Sequence, residues 1–191
     1  MKYQKEFEEK FKDKMFSTRD VKLFLQSKKA SDEYVSLFLN NNLKKEKIFR
    51  LKRGAYSFSN SLESIEKIFS PSYHGLQDAL SIYGLWQQQT ISVLITPRKV
   101  RSGEREILDS KVLVRRINRK MFFGSVEIKY FDSWITVSDI EKTLIDFIYY
   151  NEPLDRQTLG KIKKQIDKKK LDDYLKKVNK KTKEKVIDLL K

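Results

Sequence analysis

Residues 31–58, SDEYVSLFLNNNLKKEKIFRLKRGAYSF, decide how the N-terminal part of the chain is interpreted. In the first half of this stretch, apolar residues recur at the spacing of one helix face: Val35, Phe38, Leu39 and Leu43. The second half alternates apolar and basic residues as a strand does, and it turns at residues 52–54, where Gly54 can adopt a positive φ. The stretch therefore predicts a helix followed by a basic two-stranded hairpin.

Two further helices are expected before this stretch. Four large side chains recur every four residues and predict an amphipathic helix over residues 3–15: Tyr3, Phe7, Phe11 and Met15. Ser17 and Asp20 have the spacing of a capping box that begins a second helix, and Ser31 is expected to cap the third. Winged helix-turn-helix domains have this order of elements, so residues 1–58 are predicted to be a DNA-binding domain of that type.

The third helix and the hairpin carry the candidate DNA contacts. Asparagine can pair with adenine, serine and tyrosine can bond bases or phosphates, and an exposed leucine can contact a thymine methyl group. Cations gathered on one short hairpin tip favour a phosphate or minor-groove contact. The candidate DNA-binding residues are Ser31, Tyr34, Ser36, Leu37, Asn40, Asn41, Lys44, Arg50, Lys52 and Arg53. The alternatives are an ordinary solvated helix face and an ordinary turn.

Charge and composition limit the classes of partner. The net charge is +15, and it is concentrated at the two ends: residues 1–60 carry 15 Lys/Arg and 8 Asp/Glu, residues 61–150 carry 12 and 11, and residues 151–191 carry 14 and 7. This balance favours a polyanion as partner, because neutralised phosphates release counterions, although lysine-rich surfaces also serve solubility.

The absence of cysteine excludes disulfides and thiolate chemistry. No apolar run suits a membrane span or a signal core, so no membrane partner and a cytoplasmic location are expected.

The remainder of the chain predicts a connector at 59–70 with a short helix, and an α+β domain at 71–191. In this domain we expect a helix at 75–83 and strands at 90–96, 112–117, 124–131 and 134–137. Residues 97–109 are expected to form a charged loop. Ser138 and Glu141 have the spacing of a capping box that begins another helix. From about residue 154 the chain is rich in lysine and predicts two or three packed helices.

A candidate second basic site lies in and after the charged loop. Arginine's planar fork suits phosphates and carboxylates, so this site can bind nucleic acid or an acidic surface. Its residues are Arg98, Lys99, Arg101, Arg105, Arg115, Arg116 and Arg119. The alternative is that Glu104, Glu106 and Asp109 neutralise it.

Catalysis has weak support in the sequence. Asp109, Glu127 and Lys129 could form a metal-dependent nuclease site, but the signal is weak, and a solvated strand face is the favoured explanation of Glu127 and Lys129. His74 is the only histidine, and a structural or exposed role is expected for it, not a zinc site or a catalytic one. We therefore expect no enzyme activity, no catalytic or metal site and no cofactor.

The order of several segments resembles a known family. IFRLKRGAYSF, PSYHGLQDALSIYGL, a strand ending in ITPRK, the run MFFG, and ITVSDIEKTLIDFIYY before a lysine-rich tail are similar to the abortive-infection E antitoxins, often written AbiEi. The similarity covers roughly residues 16–150. This chain differs from that pattern in its acidic pair Asp32 and Glu33 and in its asparagine run at 40–42, where basic residues are common in the family.

The resemblance implies a type IV toxin–antitoxin system for phage defence. Its antitoxin would repress its own operon through an N-terminal winged helix that binds inverted repeats in double-stranded DNA. The C-terminal domain would oppose a co-encoded nucleotidyltransferase-like toxin without a stable complex. The resemblance also implies that DNA is contacted by the helix beginning at Ser31 and by the hairpin cations Arg50, Lys52 and Arg53. A DNA-binding regulator unrelated to toxins is the main alternative.

Overall fold

The computed structural model describes residues 2–12, 14–59, 62–107, 110–131 and 133–191, and for residues 62–64 and 133 it describes the backbone alone. The described chain has an α+β fold, as the sequence predicts. It divides into two compact units. Unit 1 comprises Met1–Ile68 with Glu106–Ser110, and unit 2 comprises Phe69–Arg105 with Lys111–Lys191.

Unit 1 combines short helices with a three-stranded antiparallel sheet. Its elements in chain order are α1 (Gln4–Phe11), β1 (Phe16–Ser17), α2 (Thr18–Ser27), α3 (Asp32–Lys44), β2 (Phe49–Lys52) and β3 (Ala55–Ser57). The strand order in the sheet is β1-β3-β2, and β2 and β3 form a hairpin. The short helix predicted in the connector is present as α4 (Leu62–Phe69).

An aromatic cluster around Phe7 holds unit 1 together. The Phe7 ring is fully buried, and its centroid lies 5.0 to 5.7 Å from those of five other phenylalanine rings: Phe11, Phe16, Phe24, Phe38 and Phe58. Aromatic pairs of this kind contribute about 0.5–1.5 kcal/mol each beyond the burial of their area. The rings come from α1, α2, α3, β1 and the residue after β3. The cluster therefore packs α3 and the hairpin on one core.

The helix starts of unit 1 only partly match the prediction. The Ser17 capping box is confirmed, because the Asp20 backbone N–H donates to the Ser17 hydroxyl and the Ser17 N–H donates to the Asp20 carboxylate. Ser31 is at the N-cap position of α3, as predicted, but its side chain makes no capping hydrogen bond. The first helix is also shorter than predicted, since the backbone of Tyr3 is left-handed (φ 69°) and α1 ends at Phe11 before the unpredicted strand β1.

Unit 2 contains most of a mixed six-stranded sheet. The sheet consists of β4 (Tyr73–His74), β5 (Ser92–Thr96), β6 (Gly103–Ile107), β7 (Ser110–Arg116), β8 (Ser125–Tyr130) and β9 (Ser133–Ser138), in the order β6-β7-β5-β4-β9-β8. Strands β5 and β7 are parallel, as are β4 and β9. The helices are α5 (Leu76–Ile82), α6 (Ile140–Tyr150), α7 (Arg156–Gln165), α8 (Lys168–Leu175) and α9 (Lys180–Leu190). The tail therefore forms helices, as predicted.

Three predictions for unit 2 were wrong in detail. The loop predicted at 97–109 contains β6, in which the consecutive residues 104–106 are all charged and exposed, so this strand lacks the alternation of apolar and polar residues that predicts a strand. The two-residue strand β4 was not predicted, because it is too short for a period to show. The capping box at Ser138 is absent, because Ser138 still belongs to β9 and Asp139 caps α6 by accepting the Lys142 N–H at 2.8 Å.

Candidate nucleic-acid interface

The outer face of α3 is accessible over its whole length. Leu37 is 53% exposed, and Ser36, Asn40 and Lys44 are also exposed, whereas Tyr34 and Asn41 are half-buried at its margins. The inner face is buried through Val35, Phe38 and Leu39, with Leu43 half-buried. An exposed leucine of this size in the middle of a polar helix face provides an apolar contact point among hydrogen-bonding side chains.

Asp32, at the acidic start of α3, contacts two side chains of α2. The Lys22 Nζ lies 2.5 Å from the Asp32 carboxylate, and the Gln26 side chain donates to the same carboxylate at 3.0 Å. The hydrogen bond from Lys22 lowers the pKa of Asp32. The pKa of Glu33 is lowered by hydrogen bonding to the backbone and then by the Ser31 hydroxyl. The charge of Asp32 is therefore matched by a cation within unit 1, which reduces its repulsion of a phosphate.

The asparagine run of α3 divides into different environments. Asn42 is fully buried and its Nδ2 donates to the Phe38 carbonyl at 2.8 Å, so it is part of the core. Asn40 is exposed and Asn41 is half-buried on the outer face. Asn40 and Asn41 are therefore the accessible residues of the run, and Asn42 has a structural role.

The hairpin presents its cations near a tip that is hydrogen-bonded to the start of α2. Gly54 has φ +77°, as the turn requires, and its carbonyl accepts the Thr18 N–H at 3.1 Å, which joins the tip to the start of α2. The Arg50 guanidinium lies 5.8 Å from the centre of the Tyr56 ring. Arg50, Lys52 and Arg53 are all exposed. Among the described residues, Arg53 forms no ion pair, so its charge is available to a ligand.

Four residues of the second basic site come together in a cleft of unit 2. The cleft has a volume of about 680 Å³ and is lined by Pro97, Arg98, Lys99, Arg116, Ile117, Asn118, Arg119 and Tyr149. The residues from 97 to 99 follow the end of β5, and those from 117 to 119 follow the end of β7. Because β5 and β7 are parallel and Thr96 is paired with Arg116, both segments leave the sheet at the same edge.

The other residues of the second basic site lie outside this cleft. Arg115 precedes Arg116 on β7, so its side chain points to the opposite face of the sheet. There it pairs with Glu152 and lies over the Tyr150 ring. Arg105 donates to the Arg101 carbonyl at 2.6 Å and lies over the Phe69 ring. The seven arginines and lysines therefore do not form a single site.

The residues considered for catalysis are not brought together in the part of the chain that the structure describes. Glu127 and Lys129 are exposed on β8, opposite Thr136 and Trp134, and Asp109 lies outside the described residues. His74 is 1% exposed, and its Nδ1 lies 2.7 Å from the Asp78 carboxylate, which itself accepts the Val93 N–H. Over the described ranges, no three His, Cys, Asp or Glu side chains are grouped to hold a metal ion.

A buried ion pair in α6 was missed by the sequence analysis. Lys142 and Asp146 are both fully buried and contact each other, and the Tyr73 hydroxyl donates to the Asp146 carboxylate at 2.9 Å. Burial lowers the pKa of Lys142 and raises the pKa of Asp146. The signal was the i, i+4 spacing of the two opposite charges in the sequence of α6. Neither side chain of the pair is exposed to solvent.

Comparison with known proteins does not identify the chain. No family model matches it, and a search of curated proteins gives no significant match. Within the described residues, no helix has both the length and the apolar character required to cross a membrane. The similarity to abortive-infection E antitoxins thus stays a prediction from short sequence segments and their order.

Proposed function

We propose that unit 1 is a winged helix-turn-helix domain that binds double-stranded DNA. In this proposal α3 is the recognition helix and the β2–β3 hairpin is the wing. The observation that carries it is that the exposed face of α3 and the basic hairpin are built on one core around Phe7. A helix of that kind with a cationic hairpin beside it suits a major groove and the adjacent phosphates.

We further propose that the protein represses its own operon and acts as the antitoxin of a type IV toxin–antitoxin system. The support is the sequence resemblance together with the strongly basic composition, since a net charge of +15 favours a polyanionic partner. The toxin would be a co-encoded nucleotidyltransferase-like protein, opposed without a stable complex.

The DNA-binding proposal is tested by fluorescence anisotropy with the DNA upstream of the gene and with a shuffled duplex of the same composition. We expect the upstream DNA to bind about a thousandfold more tightly at physiological salt, which is a usual margin for specific over non-specific binding. Equal affinity for the two duplexes, with the same steep salt dependence, would mean that the protein binds DNA only through non-specific attraction to its phosphates.

Base reading by α3 is tested in the same assay with Asn40→Ala. If Asn40 contacts an adenine, the variant should change the preference between operator and mismatched sites by about 1–3 kcal/mol. Asn42→Ala is an unsuitable comparison because Asn42 is buried, so Gln165→Ala, which removes an exposed amide from α7 in unit 2, is the matched control. If Asn40→Ala leaves the preference between operator and mismatched sites unchanged, Asn40 is an ordinary exposed residue that does not contact a base.

The antitoxin proposal is tested separately, by co-expression with the neighbouring toxin gene. Restored growth is expected with the full chain, and a lack of rescue while operator binding is intact would favour a regulator unrelated to toxins.

A further inference from the structure

The basic cleft of unit 2 lies where a mixed or parallel sheet provides a natural ligand site. Strands β5 and β7 are parallel neighbours, and the residues after both strands form two walls of the cleft. In open α/β sheets, ligands bind in the crevice outside the carboxyl ends of such strands. The cleft shares with those sites its place beyond the carboxyl ends of two neighbouring parallel strands.

The charge of the cleft defines the kind of ligand. Four of its lining residues are cationic: Arg98, Lys99, Arg116 and Arg119. In the part of unit 2 that the structure describes, Lys99, Arg116 and Arg119 form no ion pair with a carboxylate. Glu104, which could have neutralised them, does not line the cleft. Guanidinium groups gathered in this way suit the oxygens of a phosphate group.

The walls of the cleft are held by the main chain, so substitution of the cationic side chains should leave them in place. The Ile117 N–H donates to the Thr96 carbonyl at 2.9 Å, which extends the parallel pairing beyond the strand ends. The backbone N–H of Arg116 donates to the Ser102 hydroxyl at 3.0 Å, and its carbonyl accepts the Tyr150 hydroxyl at 3.1 Å. The Arg116 side chain is not needed for any of these contacts.

Size and composition point to a ligand larger than a phosphate ion. The volume of about 680 Å³ is within the usual range of small-molecule sites, roughly 300–1,000 Å³. Tyr149, on α6, provides an aromatic side chain among the cations, and Asn118 provides an amide. An aromatic surface beside cationic groups can hold a nucleobase next to its phosphates.

We propose that this cleft binds the phosphate groups of a nucleotide, with Tyr149 against the base. The function is additional to DNA binding by unit 1 and does not depend on it. The same chemistry is offered by a free nucleotide and by a nucleotide within a single strand, and a duplex is not expected to fill a concave cleft of this size.

The test is isothermal titration calorimetry on the full-length protein with ADP, GDP, CDP and UDP in turn, and with inorganic phosphate. We expect at least one nucleoside diphosphate to bind more tightly than inorganic phosphate, because phosphate alone lacks the base. Arg116→Gln and Arg119→Gln should each weaken that binding by about tenfold or more, since each removes a charged hydrogen-bond donor. Arg105→Gln is the matched control, because it removes an exposed arginine of the same unit outside the cleft.

A short single-stranded oligonucleotide, titrated in parallel, distinguishes the two sources of the nucleotide. Tighter binding of the oligonucleotide that is lost in Arg116→Gln would assign the cleft to a single strand, and tighter binding of the free nucleotide would assign it to a metabolite. The proposal is overturned if neither binds at millimolar concentration, or if phosphate binds as well as every nucleotide. It is also overturned if the loss in Arg105→Gln equals that in Arg116→Gln and Arg119→Gln, with all three variants showing the wild-type unfolding midpoint.

Discussion

Replacing Arg53 by alanine at the hairpin tip should weaken DNA binding by the same factor on every DNA sequence. The reason is that Arg53 is exposed and, in the described part of the chain, forms no ion pair, so its full charge is available to a phosphate. A phosphate contact carries no sequence information, and its loss should leave the preference between sites unchanged.

The size of the effect follows from counterion release. Each phosphate contact contributes about 0.9 to the slope of log affinity against log salt concentration. The Arg53→Ala slope should therefore be flatter by about 0.9, so that between about 50 and 200 mM salt the wild type loses roughly 3.5-fold more affinity than the variant. Replacing Arg50, Lys52 and Arg53 together should flatten the slope by up to about 2.7 if all three contact phosphates.

The assay is fluorescence anisotropy with the upstream DNA over a series of salt concentrations. Lys5→Ala is the matched control, because Lys5 is an exposed cation on α1 without an ion pair among the described residues, and the change in net charge is the same. An equal change of slope in both variants would mean that net charge, and not the hairpin, determines the salt dependence. An Arg53→Ala slope identical to that of the wild type would refute the assignment of the hairpin as a wing.

Three further predictions concern the stability of the two units. Ser17→Ala should lower the free energy of unfolding by about 1 kcal/mol because it removes a capping bond, whereas Ser31→Ala should have little effect, and equal losses in chemical denaturation would contradict this. Asp146→Ala should cost about 3–5 kcal/mol, because it leaves the buried Lys142 ammonium without its carboxylate, and an unchanged denaturation curve would exclude the ion pair. Gly124→Ala should lower the thermal midpoint, because a Cβ there would lie 2.8 Å from the Lys142 Cβ at φ +70°, and a midpoint equal to that of the wild type would contradict this close packing.

Local patterns in the sequence were sufficient to predict most of the helices and strands. The helix periods around Phe7, Val21 and Phe38 predicted the buried faces of unit 1, because a 3.6-residue period records which side of a helix meets a core. The Ser17 capping box was correct for the same reason, since all of its partners lie within four residues of each other. Ser31 has the corresponding position before α3, yet its side chain makes no capping hydrogen bond, an outcome that residue spacing alone does not determine.

Strands whose pairing partners are distant in the chain were harder to predict from the sequence. The strand β1 has only two residues, and its pairing with β3 depends on Tyr56, about 40 residues later. The strand β4 is equally short, yet it lies between β5 and β9 in the centre of its sheet. Such strands carry too few residues for a period to emerge, so they are defined by their neighbours and not by their own sequence.

The sequence by itself determined that the chain has an α+β fold, that its ends are basic, and that a helix with an exposed polar face precedes a cationic hairpin. These properties depend on composition and on residues that are close in the chain. Tertiary structure alone decided which charges act together. Arg116 joins Arg98 and Arg119 in the cleft, while its neighbour Arg115 pairs with Glu152 on the other face. The physical reason is that successive side chains of a strand point to opposite faces, and only the pairing of β5 with β7 brings separate basic segments to the same edge.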